Sequence, residues 1–441
     1  MNHYTFGRCR SALNFFSLFL CALRLGALDF DSDSYGNITD YLNSIYGIDE
    51  NAGLTAFPIL NIPIGGRAAG MAGAFSAVCD DSSFIEWNPA GSSTIENAEI
   101  AFFHNNWIAD SKIEAAAFTG RKKNLGFGAS TKWLYMPFTQ YDYFGERLSK
   151  GYYAEGVAAL NASYNFFPGY YFNGISLGIN IKGAFRIVPN YAENSGENAG
   201  IVKSDSGASQ SAAVLLGDIG LLTRFNFLKL YNARDKNMAV ALVLRNVGME
   251  AIDDPLPTVA VAAISYRPVR PLLVSFDYTL PINLQSIDLS EKPYFSTGLS
   301  LTVASFLSMR AGVLIRAGSI RGAIGSAVSL GNLSVDINYT LDLLTQLQPF
   351  NRVDVGLRIN LGDGGRLSSR KLVDQYYLAG LEAYSHGQDD EAREWFYKAL
   401  KINPYFDPAT EGIRAIDNYE SLVKRIKDLQ SVEYQRGSNV L

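Results

Sequence analysis

The chain has 441 residues, 48% of them hydrophobic, and a formal net charge of −5, so it is long enough for more than one structural unit. Its mean hydropathy lies near zero, which is too polar for a bundle of membrane-spanning helices. No basic stripe or run of Lys and Arg is present, and nucleic-acid binding is therefore not an expected function.

The first residues indicate export. Two arginines precede an apolar stretch over about residues 12–23, and small residues follow up to Ala27. This order is typical of a secretory signal peptide, so we expect residues 1–27 to be removed by cleavage near Ala27. The stretch is too short to span a bilayer as a helix. Lipoprotein processing at Cys21 is an alternative, but the residues before Cys21 lack the expected small side chain.

Residues 28–97, called the plug below, contain a Gly- and Ala-rich segment that leads into Trp-Asn-Pro-Ala-Gly. Glycine tolerates positive φ and close backbone approach, so this segment can fold compactly where side chains leave little room. Pro89 favours an extended Asn88, whose side chain can bond nearby backbone in a turn. We expect residues 87–91 to anchor the plug to its surroundings, with a moving gate as the alternative.

Residues 98–361 alternate apolar and polar side chains with period two, which predicts strands with two unlike faces. One apolar face and one polar face suit a barrel with lipid outside and a polar lumen. The sequence therefore predicts an all-β transmembrane barrel of about 14 antiparallel strands. The predicted strands are 98–107, 111–120, 125–135, 152–166, 174–187, 211–224, 237–247, 257–267, 271–281, 293–304, 307–317, 320–330, 332–342 and 351–361.

The connections alternate in length, as expected of an outer-membrane barrel with short periplasmic turns and long external loops. Short connections lie at 121–124, 268–270, 305–306 and 331, whereas the connection at 188–210 is the longest. This pattern predicts an outer-membrane location with both mature termini in the periplasm. Two turns on the periplasmic side, 167–173 and 225–236, are longer than the pattern predicts.

Residues 362–441 change to helical periodicity, and 371–429 predict three amphipathic helices broken at 386–387 and 403–404. Eight residues match the spacing of a tetratricopeptide repeat. They are Tyr376, Gly380, Tyr384, Gly387, Ala392, Phe396, Ala399 and Pro404. One copy is too little for a superhelical groove, because such repeats normally stack in threes or more. We expect a periplasmic tail that can dock a protein partner through residues 371–429.

The segment from Gly65 to Gly91 resembles the N-terminal motif of FadL-type outer-membrane long-chain fatty-acid transporters and their PorV-like relatives. The resemblance implies a hatch inside the barrel, a hydrophobic ligand in the lumen, no enzyme chemistry and lateral delivery through a gap in the wall. We place that exit at Gly126 and Gly128. The added tail departs from the family pattern. The residues that carry the resemblance are Arg67, Ala68, Gly70, Met71, Gly73, Ala74, Asp80, Asp81, Trp87, Asn88, Pro89, Ala90 and Gly91.

The sixth to eighth predicted strands lack a polar face, which favours a path for a hydrophobic ligand over a water-filled pore. Packing of this wall against the plug is an equally weighted and compatible interpretation. The opposite wall carries arginines that could hold a ligand carboxylate, although pairing with other lumen charges is the more common role. The candidate ligand-binding residues are Val214, Leu216, Leu222, Val243, Arg310 and Arg316.

Catalysis is poorly supported, because His104 and His386 are the histidines left after the signal peptide and lie far apart in sequence. A barrel phospholipase would have to use His104. We expect no enzyme, no cofactor and no metal site. The favoured hypothesis is passive uptake of hydrophobic small molecules, most simply long-chain fatty acids. The alternatives are a non-transporting assembly or secretion component that docks a partner through its tail, and a diffusion porin that conductance would reveal.

Overall fold

A computed structural model describes residues 49–438, apart from 109, 142–143, 189–210, 252, 318 and 343–351. The predicted signal peptide, 1–27, lies outside the described residues. Fourteen antiparallel strands form one closed barrel in which neighbours in sequence pair and β1 also pairs with β14. The strands are β1 (Ala98–Asn106), β2 (Lys112–Lys122), β3 (Leu125–Tyr141), β4 (Arg147–Phe166), β5 (Ile175–Ile187), β6 (Ala212–Phe225), β7 (Met238–Gly248), β8 (Thr258–Val269), β9 (Leu272–Ile282), β10 (Tyr294–Ala304), β11 (Leu307–Arg316), β12 (Ser319–Leu330), β13 (Leu333–Asp342) and β14 (Arg352–Gly362). The predicted 14-stranded barrel is confirmed.

The two faces of the strands are arranged as the period-two pattern requires. On β9, Phe276 and Tyr278 point outward and are exposed, whereas Ser275 and Asp277 point inward and are buried. The same alternation gives an outer belt of exposed apolar side chains. The belt includes Phe102, Leu160, Leu177, Ile179, Ile181, Leu215, Ile219, Leu242, Ile264, Leu299, Ile324, Ile337, Val353 and Val355. A continuous apolar surface of this extent is unfavourable in water.

β3 and β4 extend further than predicted, to Tyr141 and from Arg147, and form a long hairpin at the end of the barrel where β1 ends. Their pairing continues through Met136↔Tyr153 to Tyr141↔Arg147. Pro137 and several polar residues interrupt the apolar alternation in this part of the sequence. Cross-strand pairing with an equally long partner keeps the segments extended where local periodicity gives no signal.

The plug fills the lumen with short turns instead of long elements. Its described part contains one short helix, α1 (Gly66–Gly70), and 3₁₀ turns at Pro58–Asn61, Ser82–Glu86 and Pro89–Ser93. Asp81 accepts a hydrogen bond from the backbone N–H of Ser83 at 3.0 Å and so caps the second turn. Asn88 is extended and accepts one from Ala90 N–H at 3.0 Å, which caps the third. These caps satisfy backbone donors that would otherwise be buried without a partner.

Three helices form the tail: α2 (Arg366–Ser385), α3 (Asp389–Ile402) and α4 (Asp407–Ser438). Phe396 is fully buried at their centre, and a Cβ added at Gly380 would lie 2.6 Å from its ring. Ala392 and Ala399 are also fully buried, so small residues allow α2 and α3 to pack closely. None of the helices in the described part of the chain is both long and apolar enough to cross a membrane. The tetratricopeptide-like assignment stays a prediction.

Two long turns at one end of the barrel contact the tail: the turn between β4 and β5 and the turn between β6 and β7. The guanidinium group of Arg234, in the turn between β6 and β7, bonds both carboxylate oxygens of Asp374 at 2.7 and 2.5 Å. In the turn between β4 and β5, the Tyr170 ring packs against Phe406 with centroids 5.3 Å apart. A hydrogen bond to Glu411 raises the pKa of Tyr171 in the same turn. Both turns are longer than the sequence pattern predicts because they provide the residues that contact the tail.

Arg234→Ala should loosen the docked tail. The change removes the exposed ion pair with Asp374 and the stacking of the guanidinium at 5.4 and 5.9 Å from the Tyr170 and Phe406 ring centroids. Together these contacts are worth about 1–2 kcal/mol, which corresponds to roughly tenfold faster chymotryptic cleavage in the tail. Arg414→Ala, on an exposed side of α4, is the control. Equal cleavage rates for the two variants would contradict the role of Arg234.

Candidate functional site

Polar side chains of the inner wall bond the backbone of the plug at many points. The wall donates from Lys132 Nζ to Ile62 O (2.7 Å), Asn161 Nδ2 to Pro89 O (2.9 Å), Asn180 Nδ2 to Ile85 O (2.8 Å), Arg224 to Val78 O (2.6 Å) and Asn338 Nδ2 to Gly66 O (2.8 Å). It accepts at Glu155 from Ile59 N–H (3.1 Å) and at Asp277 from Ser76 N–H (2.9 Å). Leaving one such buried group unpaired costs about 1–3 kcal/mol. The plug is therefore held in one defined position.

Glycines of the wall let the plug backbone approach the strands. A Cβ added at Gly178 on β5 would lie 2.3 Å from the Pro89 carbonyl carbon, and one at Gly126 would lie 2.1 Å from the Ser92 carbonyl carbon. At Gly128 an added Cβ would meet Phe118 O at 3.1 Å and Ile85 Cδ1 at 3.6 Å. The predicted exit residues therefore lie under the plug. β3 pairs with both neighbours from Leu125 onward.

The apolar inner wall of β6–β8 packs against the plug. Leu222 and Val243 belong to one buried cluster with Phe84, Ile85 and Ala90 of the plug. Higher in the barrel, Val214 and Leu216 pack in a second cluster that includes Phe57 and Ile59 of the plug. All four predicted ligand-binding residues on this wall thus belong to clusters that include plug residues. This agrees with the interpretation that the apolar wall packs against the plug.

Both predicted ligand-binding arginines are already paired. Arg310 lies 2.5 Å from one oxygen of Asp336, and Arg358 lies 2.8 Å from the other. Arg358 also reaches Asp81 of the plug at 3.4 Å. Arg316 pairs with Glu291 and stacks over the Tyr294 ring at 5.2 Å. The network around Asp336 therefore joins β11, β13, β14 and the plug.

The other motif residues also have contacts within the barrel. Arg67 forms an ion pair with Asp80, and Trp87 packs near Gly73, where an added Cβ would lie 2.7 Å from the indole. A Cβ added at Gly91 would meet the Phe84 ring at 2.7 Å, and one at Gly70 would meet Asn338. The motif thus packs both within the plug and against the wall.

His104 has two polar neighbours, Glu114 at 2.8 Å from Nδ1 and Asn106 at 3.2 Å from Nε2. Within the described residues its hydrogen bonds include no serine hydroxyl, and no group of three or more acidic, His or Cys side chains could hold a metal ion. His386 caps α2 at the tail, far from this strand.

A cavity of about 120 Å³, called the upper chamber, remains in the lumen above the plug. It lies at the end of the barrel away from the tail, since Trp107 follows the last residue of β1 and Arg352 is the first of β14. Its lining residues are Leu60, Asn61, Ile62, Pro63, Ala69, Ala72, Gly73, Glu86, Trp87, Asn105, Trp107, Arg245, Asn246, Thr279, Tyr294, Ser296, Leu314, Arg316, Arg321, Thr340, Arg352 and Asp354. The sequence did not indicate this grouping, because its members come from eight strands and the plug.

The fold and the lumen define a plugged, closed antiparallel barrel of 14 strands with a helical tail on its rim. The chain belongs to the family described as "Uncharacterised protein family (UPF0164)", whose model matches residues 45–364. A UPF0164 protein of Treponema pallidum (strain Nichols) is 30% identical over 380 residues, covering 83% of this chain and 83% of that protein. A second from the same organism is 25% identical over 398 residues, covering 84% and 77%.

Solved barrels show a weaker likeness. The P. putida toluene transporter TodX has 9% sequence identity and a TM-score of 0.42, covering 68% of this chain and 100% of that chain. CdiB from Acinetobacter baumannii has 9% identity and a TM-score of 0.36, covering 60% of each. Likenesses of this size leave the function to be argued from the residues of this chain. The FadL and PorV resemblance stays a prediction.

Proposed function

We propose that this protein is an outer-membrane channel for the passive uptake of hydrophobic small molecules, with long-chain fatty acids as the first class to test. The outer belt supports a membrane location, because exposed Leu, Ile, Val and Phe side chains encircle a barrel whose backbone hydrogen bonds are closed. Short turns occur at the end that carries the tail, as between β10 and β11. We therefore orient that end, with both mature termini, toward the periplasm.

The observation that carries the proposal is the apolar stretch of the inner wall of β6–β8 that lies between Arg224 near one end and Arg245 near the other. A water-filled porin has a polar lumen, whereas Leu222, Ala241, Val243, Val261 and Ala263 are all buried and apolar here. A shift of the plug away from this wall would expose an apolar path between the two. The candidate ligand contacts are Val214, Leu216, Leu222 and Val243 on this wall and Arg310 and Arg316 on the opposite wall. The two arginines would exchange their present carboxylate partners for the carboxylate of a ligand.

We propose the lateral exit at Gly126 and Gly128, beneath the plug backbone at Ser92. Because these positions carry no side chain, displacement of the Pro89–Ser93 turn would leave a stretch of wall with little packing across it. This element of the proposal follows the FadL-type resemblance. In this proposal the plug moves during transport and the barrel wall stays in place.

A disulfide between plug and wall would test that movement. Ser92 Oγ and Ser163 Oγ lie 2.6 Å apart. Because the two sulfur atoms of a disulfide lie about 2.05 Å apart, cysteines at these two positions should be able to form one. In S92C/S163C barrels reconstituted in vesicles, oxidation should abolish uptake of a fluorescent fatty acid, and a reductant should restore it. The single S92C variant, oxidised in the same way, is the control, and Cys79 is buried and should not compete.

The outcomes separate the parts of the proposal. Unchanged uptake by the oxidised double variant would show that the plug need not move. Absence of uptake by the unmodified protein would overturn transport itself. Ion conductance through the unmodified barrel would instead support a diffusion porin.

A second candidate is a non-transporting assembly or secretion component that docks a periplasmic partner through the tail, residues 371–429. It is favoured by an exposed stripe on α4, where Tyr419, Leu422, Ile426 and Leu429 recur at a spacing of three, four and three residues. A partner retained by the unmodified protein and lost in L422E/I426E, without any uptake activity, would favour this candidate.

A further inference from the structure

Five cations lie together at one corner of the barrel, where the hairpin between β2 and β3 meets the start of the tail. Strand β14 ends at Gly362 and α2 begins at Arg366, and β1 pairs with both β14 and β2, so α2 starts beside this hairpin. The Arg366 guanidinium donates to Arg121 O at 2.9 Å and also to Glu96 O, which joins the two segments. We call this group the basic corner, and its members are Arg121, Lys122, Lys123, Arg366 and Arg370.

The cations of the basic corner are not neutralised by direct pairing. Within the described residues, none of the five forms an ion pair. Lys122, Lys123 and Arg370 are exposed. Arg370 lies one helical turn after Arg366 and near enough to Arg121 to repel its charge. A chain with a formal net charge of −5 therefore presents a locally positive surface here.

Two carboxylates oppose this charge only in part. Asp363 accepts hydrogen bonds from the N–H groups of Gly365 at 3.0 Å and Leu367 at 2.5 Å, so its carboxylate is already used at the start of α2. Glu96 is exposed and attracts both Arg121 and Arg366 without bonding either side chain. Against five cations, these two carboxylates leave a positive surplus that favours an anionic partner.

The basic corner is continuous with the apolar outer belt. Lys122 shares the outward face of β2 with Phe118, and its partner on β3 is the exposed Leu125. Phe127 also points outward, with its ring centroid 6.1 Å from that of Phe118. Leu361 is exposed on β14, two strands away. Acyl chains can pack on these side chains while a headgroup meets the cations at the strand ends.

We propose that the basic corner binds the headgroup of an anionic phospholipid in the periplasmic leaflet. The flexible, exposed side chains of Lys122, Lys123 and Arg370 would hold the phosphate, and the acyl chains would lie along the outward faces of β2, β3 and β14. Arg121 and Arg366 donate to backbone carbonyls and fix the hairpin against α2. The inference rests on the membrane location and orientation of the proposed function. It makes a phospholipid a third component of the junction between barrel and tail.

Binding can be measured with the purified full-length protein in detergent. Fluorescent phosphatidylglycerol and phosphatidylcholine with identical acyl chains are the probes, since they differ in headgroup charge. Phosphatidylglycerol should bind roughly tenfold or more tightly, because each cation near a lipid surface adds attraction for an anionic headgroup. K122Q/K123Q/R370Q should remove most of this preference. The three side chains are exposed and form no ion pair in the described part of the chain, so the variant should fold.

K424Q/R425Q/K427Q is the matched control, since it removes three charges from exposed positions of α4. It should keep the preference of the unmodified protein for phosphatidylglycerol. Raising the salt concentration from about 0.1 M to about 1 M should weaken that preference in the unmodified protein, because the screening length falls from about 10 Å to about 3 Å.

A preference that is lost in K122Q/K123Q/R370Q and kept in the control supports the proposal. Equal affinity of the unmodified protein for the two lipids overturns it, and so does an equal loss in both variants, which would follow net charge alone. Competition by free glycerol phosphate as effective as that by unlabelled phosphatidylglycerol would show that free phosphate, not lipid, is the occupant. The readout is independent of uptake: lipid preference without fatty-acid uptake overturns transport alone, and uptake without lipid preference overturns the basic corner alone.

Discussion

Asp336→Asn is expected to lower the free energy of unfolding by about 3–5 kcal/mol, because this carboxylate is the shared partner of the buried Arg310 and the partly buried Arg358 guanidinium groups. Arg310 has no other ion pair in the described residues, and its side chain is 2% exposed. An amide at position 336 would leave that charge buried and poorly compensated. The loss should appear as a lower denaturant midpoint with an unchanged slope.

Asp288→Asn is the matched control, since it makes the same change at an exposed turn between β9 and β10. Its midpoint should stay within about 0.5 kcal/mol of the unmodified protein. D336N/R310Q should lose less than the sum of the two single variants, because the unpaired charge is then removed. Equal midpoints for D336N and D288N would show that solvent reaches the network and screens its charges.

The barrel was predictable because its physical signal is local. Alternation along one strand, such as Val353, Val355 and Leu357 against Asp354 and Gly356, requires nothing beyond backbone geometry and the contrast between lipid and lumen. The helical tail was predictable for the same reason. Its breaks occur where Gly387 adopts a positive φ and where Pro404 cannot continue a helix.

The interior of the lumen was not predictable at the same level. Periodicity shows that Asn161 and Asn180 point inward, but their partners are carbonyl groups of the plug more than 70 residues away in sequence. The same holds for the upper chamber, where Trp87 of the plug meets Arg245 of β7. Contacts between distant segments depend on strand order, plug path and register together. Arg310 and Arg316 could therefore be identified as lumen residues without their partners.

Gly178→Ala should release part of the plug and open the barrel to ions. The added Cβ would lie 2.3 Å from both the carbonyl carbon and the oxygen of Pro89, a distance at which one backbone must move. β5 is paired along its length with β4 and β6, whereas the plug is held at this point by single side-chain bonds such as Asn161 to Pro89 O. The turn at Pro89–Ser93 should therefore yield before the wall, at a cost of about 1–3 kcal/mol.

Gly183→Ala provides a control on the same strand, because an added Cβ there would meet nothing within 4 Å. It should leave conductance unchanged and stabilise the strand by about 0.5–1 kcal/mol. Planar-bilayer recordings should show raised conductance for Gly178→Ala alone. If Gly178→Ala is destabilised but conducts no more than Gly183→Ala, the wall moves and the plug does not. The plug would then be a fixed part of the barrel, and a ligand path along β6–β8 would require a different opening.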